Sequence, residues 1–109
     1  MNESEFLQQV NDTLNRLETA VETQAEAFDV DVDLRREGHV LTLDFDSAGK
    51  VIVNAQTPTR ELWLAARSGG YHYRWQDGQW RNTRTAAPFL AELAAILAQQ
   101  VGGGSWGLS

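Results

Sequence analysis

Seven apolar residues, Phe6, Val10, Leu14, Leu17, Val21, Ala25 and Phe28, recur at steps of four and three, and no Gly or Pro interrupts them. Steps of that size bring one residue per turn to the same side, so the spacing predicts a helix from Asn2 to about Ala27 with one buried face. Asn2 followed three residues later by Glu5 is a capping pattern, and Glu3 and Glu5 suit the positive end of the helix dipole. At Asp29 the period drops to two. Val30, Val32 and Leu34 alternate with Asp29, Asp31 and Asp33, which predicts a strand with an acidic face.

The rest of the chain continues in short alternating runs. Arg35 to His39, with Gly38, predicts a turn into a strand from Val40 to Asp46, and Gly49 precedes a strand from Val51 to Asn54. Gln56-Thr57-Pro58-Thr59 is a Pro-marked turn, followed by a strand from Glu61 to Arg67 with Leu62, Leu64 and Ala66 inward. Ser68-Gly69-Gly70 is expected to break that strand before Tyr71 to Trp75, and Asp77-Gly78 to form a tight hairpin turn ahead of Trp80. After Pro88, Phe89, Leu90, Leu93, Ile96, Leu97 and Val101 return to helical spacing. Helix, antiparallel strands, helix is an α+β pattern. Each helix has one apolar stripe, so both are expected on the same sheet face, leaving the other face to water. Residues 102–109, rich in Gly, are expected to be a flexible tail.

Charge is distributed unevenly. Residues 1–46 hold twelve Asp and Glu against three Arg, whereas the remaining residues hold three acids against six bases. Glu18, Glu22 and Glu26 fall in one helical stripe, and residues 18–33 contain no base. Like charges at such spacings repel by a few tenths of a kcal/mol per pair. A solubility face is the ordinary outcome of an acidic stripe. Solubility, however, needs charge of mixed sign, and this stripe has only one. Six carboxylates, Glu18, Glu22, Glu26, Asp29, Asp31 and Asp33, are therefore expected to stay solvated and unpaired. With neither imidazole nor thiol among them, they suit a hard cation such as iron, calcium or manganese, held weakly through water, and equally a basic protein surface. Asp29 to Val40 does not fit an EF-hand, because its sixth position is Leu34 and its twelfth is Val40.

A second group is Asn54, Gln56, Trp63, His72 and Arg74. If Leu62 and Leu64 face the core, Trp63 faces outward, and its neighbour on the next strand is His72 or Arg74, since Tyr71, Tyr73 and Trp75 take the other side. An exposed Trp among amides and an Arg has the composition of a protein-binding hot spot. Other functions are excluded or disfavoured. The absence of Cys removes disulfides, thiolate metal ligands and thiol nucleophiles. A net charge of −6 with a single Lys argues against nucleic-acid binding. No apolar run approaches the roughly 18 residues of a membrane span, and no signal-peptide pattern opens the sequence, so a cytoplasmic protein is expected. No catalytic triad, phosphate-binding glycine loop or dinucleotide fingerprint is present, so no enzyme activity and no organic cofactor are expected.

These residues together resemble the bacterial frataxin family, the CyaY homologues. The resemblance runs from Met1-Asn-Glu-Ser-Glu-Phe6 through the acidic helix end into Asp29-Val-Asp-Val-Asp33, the Val40-Leu-Thr-Leu43 strand, the Asn54-Ala-Gln-Thr-Pro58 turn, Leu62-Trp-Leu-Ala65, Ser68-Gly-Gly-Tyr71 and the Trp80 strand before the final helix. It covers residues 1 to about 100, and Asn54 to Gly70 is its most specific part. It implies a two-layer α-β-α sandwich, with the N- and C-terminal helices on one face of an antiparallel sheet of five to seven strands, in a single domain over residues 1–101. It further implies an accessory role in iron–sulfur cluster assembly. The six carboxylates would bind ferrous or ferric iron weakly and dock on an IscS-like cysteine desulfurase, while Asn54, Gln56, Trp63, His72 and Arg74 would face the desulfurase and scaffold assembly. A monomeric regulator is the expectation, with iron storage or ferroxidase-type iron chaperoning, or an acidic interaction domain without a metal role, as alternatives. Two departures stand out: Thr19, Thr23 and Gln24 occupy positions where further carboxylates occur in the family, and His72 stands where eukaryotic members have Arg.

Overall fold

The computed structural model describes residues 1–108. Its first helix, α1 (Glu3–Ala27), begins as its sequence requires: Asn2 Oδ1 accepts from the Glu5 amide at 2.8 Å, and the Glu5 carboxylate accepts from the Asn2 amide at 3.0 Å. This reciprocal cap satisfies two of the four amides that a helix start leaves without partners. Phe6, Val10, Leu14, Leu17, Val21 and Ala25 are all buried. Six strands follow: β1 (Asp33–Glu37), β2 (Val40–Asp44), β3 (Lys50–Gln56), β4 (Glu61–Ala66), β5 (Gly69–Gln76) and β6 (Gln79–Asn82), and α2 (Phe89–Gln100) comes last. The strands form one antiparallel sheet in chain order, so β1 and β6 are its edges.

Both helices cover one face. Leu41, Leu43, Val51, Val53, Leu62, Leu64, Tyr73 and Trp80 meet the α1 stripe and Phe89, Leu93, Ile96 and Leu97 of α2 in a single core. Trp80 ties the two layers together: its ring stands edge-on to Phe6 at 5.9 Å, and its Nε1 donates to Thr13 Oγ1 at 2.9 Å. On the same side Tyr73, fully buried, donates its hydroxyl to Glu92 Oε1 at 2.5 Å, and Asn82 Nδ2 donates to the same oxygen at 2.8 Å. Burial first, and then the bond to Glu92, push the Tyr73 hydroxyl well above its ordinary pKa. Among the described residues no helix is long and apolar enough to cross a membrane.

Three local expectations need correction. The alternating segment from Asp29 is not a strand until Asp33. Phe28 caps α1, Asp29 takes a left-handed conformation (φ 55°), and the Val30 amide reaches back to Ala25 O at 2.8 Å while the Asp29 amide reaches Glu26 O at 3.2 Å. That is a Schellman closure. Val30 and Val32 still pack on the core, so the period of two is genuine. Pairing is what is missing, because Asp33 faces Asp44 and β2 ends there. The second correction concerns turns. Arg35, Arg36 and Glu37 belong to β1, leaving Gly38-His39 as the turn, and Gly69-Gly70 belong to β5, leaving Arg67-Ser68. Asp77-Gly78 is a two-residue turn as expected, with both φ positive (52° and 80°).

The third concerns the Gly-rich end. Trp106 and Leu108 are buried, in the same core cluster as the helices. Trp106 stands edge-on to Phe28 (5.2 Å) and Phe45 (6.1 Å), and its Nε1 donates to Gly102 O at 2.9 Å. The Gly107 amide donates to Gln24 Oε1 at 3.0 Å. Glycine here serves close approach as well as freedom: a Cβ on Gly103 (φ 95°) would lie 2.9 Å from Phe28 Cδ2.

Candidate functional site

The six carboxylates lie on the last turns of α1, its cap and the approach to the edge strand. Glu22, Glu26, Asp29 and Asp31 are exposed, and among the described residues none of them has a cation within ion-pair distance. The other two depart from the expectation of unpaired charge. Glu18 Oε2 lies 3.5 Å from Arg36 Nη1, and Asp33 Oδ2 lies 3.1 Å from Arg35 Nε. The Asp33 pair is open to solvent and contributes little. Arg36 is better anchored. It sits on the helix-facing side of β1 and also donates to Asn15 Oδ1 (2.9 Å), Asn11 Oδ1 (3.0 Å) and Gly38 O (2.8 Å), so Asn11, Asn15 and Glu18 form one stripe of α1 that receives it. Among the described residues no three His, Asp or Glu side chains come together in an arrangement that could hold a metal ion. The carboxylates are a dispersed field of hard oxygen donors, without a coordination cage.

The open sheet face is read directly from the strand register. Val40, Asn54, Trp63 and His72 lie side by side across β2 to β5, and Gln56, Glu61, Arg74 and Arg81 form the next row across β3 to β6. Trp63 thus meets Asn54 on one side and His72 on the other. Its ring stacks on the His72 imidazole with centroids 4.1 Å apart. Gln56 Nε2 donates to Asn54 Oδ1 at 2.7 Å, which fixes the two amides as a pair.

The side chain that organises this face is Glu61, which the sequence reading did not select. Its side chain is only 10% exposed, and it accepts from Trp63 Nε1 at 2.9 Å and Arg74 Nε at 3.1 Å, with His72 Nδ1 3.8 Å away. A buried carboxylate needs partners of this kind. The signal for it was present: Glu61 is two residues before Trp63 on one strand, so the two share a face. Arg36 and its asparagines had no comparable signal, because their meeting depends on how α1 is placed relative to the edge strand.

Comparison with known proteins finds relatives over most of the chain. Residues 1–103 match the family model described as a frataxin-like domain. Among curated proteins, the "iron-sulfur cluster assembly protein CyaY" of Ralstonia nicotianae is 45% identical over 100 residues, covering 92% of this chain and 88% of the relative. The protein of the same name from Herminiimonas arsenicoxydans is 47% identical over 103 residues, covering 94% and 92%. Among solved structures, the frataxin of Psychromonas ingrahamii superposes with a TM-score of 0.77 at 35% identity, covering 96% of each chain. The trimeric frataxin of the yeast Saccharomyces cerevisiae, solved in complex with ferrous iron, gives 0.74 at 26% identity over 84% of each chain. With a family model spanning residues 1–103 and relatives more than 40% identical over about nine-tenths of each chain, the chain belongs to the frataxin family.

Proposed function

We infer that this chain is an iron-binding accessory protein of iron–sulfur cluster assembly, acting by docking and performing no bond chemistry itself. The observation that carries the reading is the presence of two unlike surfaces on one small fold. One is a set of exposed carboxylates without internal cations at the end of α1, and the other is a stacked aromatic pair, Trp63 on His72, on the open sheet face. The names of its relatives and the ferrous complex of the yeast protein support it.

Iron is cargo in this reading. Glu22, Glu26, Asp29 and Asp31 offer it oxygen ligands, and their dispersion leaves the ion most of its water, so it binds weakly and exchanges readily. Glu18 and Asp33 add charge already partly balanced by Arg36 and Arg35. The same field attracts the basic surface of an IscS-like cysteine desulfurase. Asn54, Gln56, Trp63, His72 and Arg74 then face the desulfurase and scaffold, and the protein regulates that complex as a monomer.

The test is a ferrous titration under anaerobic conditions, following the amide signals of residues 18–33, together with desulfurase binding at rising salt. Localised broadening and binding that weakens steeply with salt are expected. Desulfurase binding without any broadening would leave an acidic interaction domain with no metal role. Oxygen consumption on aerobic addition of ferrous iron faster than in a protein-free control would favour the ferroxidase reading instead.

A further inference from the structure

We propose that Arg74, Arg81 and Arg84, with the loop that follows β6, form a binding site for a small multivalent oxyanion bearing phosphoryl or carboxylate groups. The strand register sets Arg74 directly opposite Arg81 on the open face. Like charges in that position repel. Arg74 is fixed by its Nε on Glu61 Oε2, and Arg81 by one Nη on Ala86 O at 3.1 Å, so each guanidinium is held while its remaining N–H groups have no protein acceptor among the described residues. Arg84 is exposed and, among the described residues, has no carboxylate within ion-pair distance; the same is true of Arg81.

The loop brings Arg84 to this pair and is itself tightly built. Asn82, nearly buried, accepts the amides of Arg84 (2.8 Å) and Thr85 (3.3 Å) on its Oδ1, and Ala86 is forced to a positive φ of 64°. Together these residues line a concavity of about 290 Å³ with Gln76, Thr83 and Thr85. Of the nearby carboxylates, Glu61 serves Arg74, Glu92 is taken by Tyr73 and Asn82, and Asp77 lies in the β5–β6 turn without an ion pair among the described residues. Three guanidiniums line this hollow with no carboxylate among its lining residues, and of the three only Arg74 has an ion-pair partner, Glu61, among the described residues, on a chain whose net charge is −6. Planar forks with free N–H groups match the tetrahedral or planar oxygens of phosphate and carboxylate. A concave site of this size fits a small ion better than a protein segment.

The experiment uses the full chain without iron, titrated separately with inorganic diphosphate and with citrate at constant ionic strength, reading amide shifts. Saturable shifts centred on residues 74–86, with a Kd of about 1 mM or tighter for at least one of the two, are expected, and the stronger binder identifies the preferred chemistry. Arg84→Gln is the decisive variant, because the Arg84 side chain makes no contact that the fold uses; it should weaken binding about tenfold, whereas Arg16→Gln on α1 should leave it unchanged. Shifts that fail to saturate, that sodium chloride reproduces, or that survive Arg84→Gln undiminished would overturn the proposal.

Discussion

The indole of Trp63 lies flat on the imidazole of His72, with planes 5° from parallel, and its Nε1 is tethered to Glu61. An aromatic on a solvated sheet face would otherwise be free to turn. Here a neighbouring ring fixes one dimension and a carboxylate fixes another, so on the proposed function the surface offered to a partner is formed before binding. Pre-forming a contact surface lowers the entropy lost on association.

Glu61 should therefore matter more than its exposed surroundings suggest. Glu61→Ala leaves the Trp63 N–H and the Arg74 Nε without their partner and should cost about 1–3 kcal/mol, lowering the melting temperature by at least about 4 °C. Glu61→Gln keeps an acceptor for Trp63 and should lose less. Thermal melts of the two variants check this. Identical melting of Glu61→Ala and the parent would remove Glu61 from the role given to it.

The acidic stripe should split into two classes. Glu18→Lys places a cation against Arg36 and should lower stability by about 0.5–1 kcal/mol. Glu22→Lys removes repulsion and meets no internal arginine, so melting should be unchanged or higher. Both should weaken ferrous iron. Paired denaturation and iron titrations separate the two effects, and equal melting of the two variants would contradict the Glu18–Arg36 contact.

The C-terminal segment should behave as part of the core. Trp106→Ala removes a buried ring packed on Phe28 and Phe45 and should cost about 3–5 kcal/mol, as measured by urea unfolding. Gly103→Ala should also destabilise, through its positive φ and the clash with Phe28. A truncation after Val101 that melts like the full chain would contradict the packing.

Alkaline pH should weaken the fold through Tyr73. Its hydroxyl titrates near 10.0 when unfolded and higher when folded, so the unfolded chain binds fewer protons above that point and stability falls as pH rises. Below pH 10 the contribution is complete. Above it the loss is at most about 1.4 kcal/mol per pH unit for this one group. Tyr73→Phe should flatten that part of the profile. Unfolding free energies from pH 9 to 11.5 check this.

Much of the molecule follows from local pattern alone. The cap formed by Asn2 and Glu5, the stripe from Phe6 to Ala25, the Asp77-Gly78 turn and the outward placement of Trp63 each depend on residues a few positions apart, where helical and strand periods dictate who faces whom. The acidic run from Glu18 to Asp33 is equally visible. What the sequence could not decide is where chain ends and edges meet. Asp29 to Val32 carries the period of a strand, yet β2 stops at Asp44, and an unpaired segment is no strand. Gly102 to Leu108 has the composition of a free linker, but Phe28 at the end of α1 and Phe45 just after β2, brought together by the fold, give Trp106 a place to bury its ring. Arg36 reaches Asn11, Asn15 and Glu18 only because the fold brings that stripe of α1 within reach of the edge strand. Local periodicity fixes which side a residue faces, whereas the energy of burial and charge pairing depends on groups far away in the chain, and only the tertiary structure brings those together.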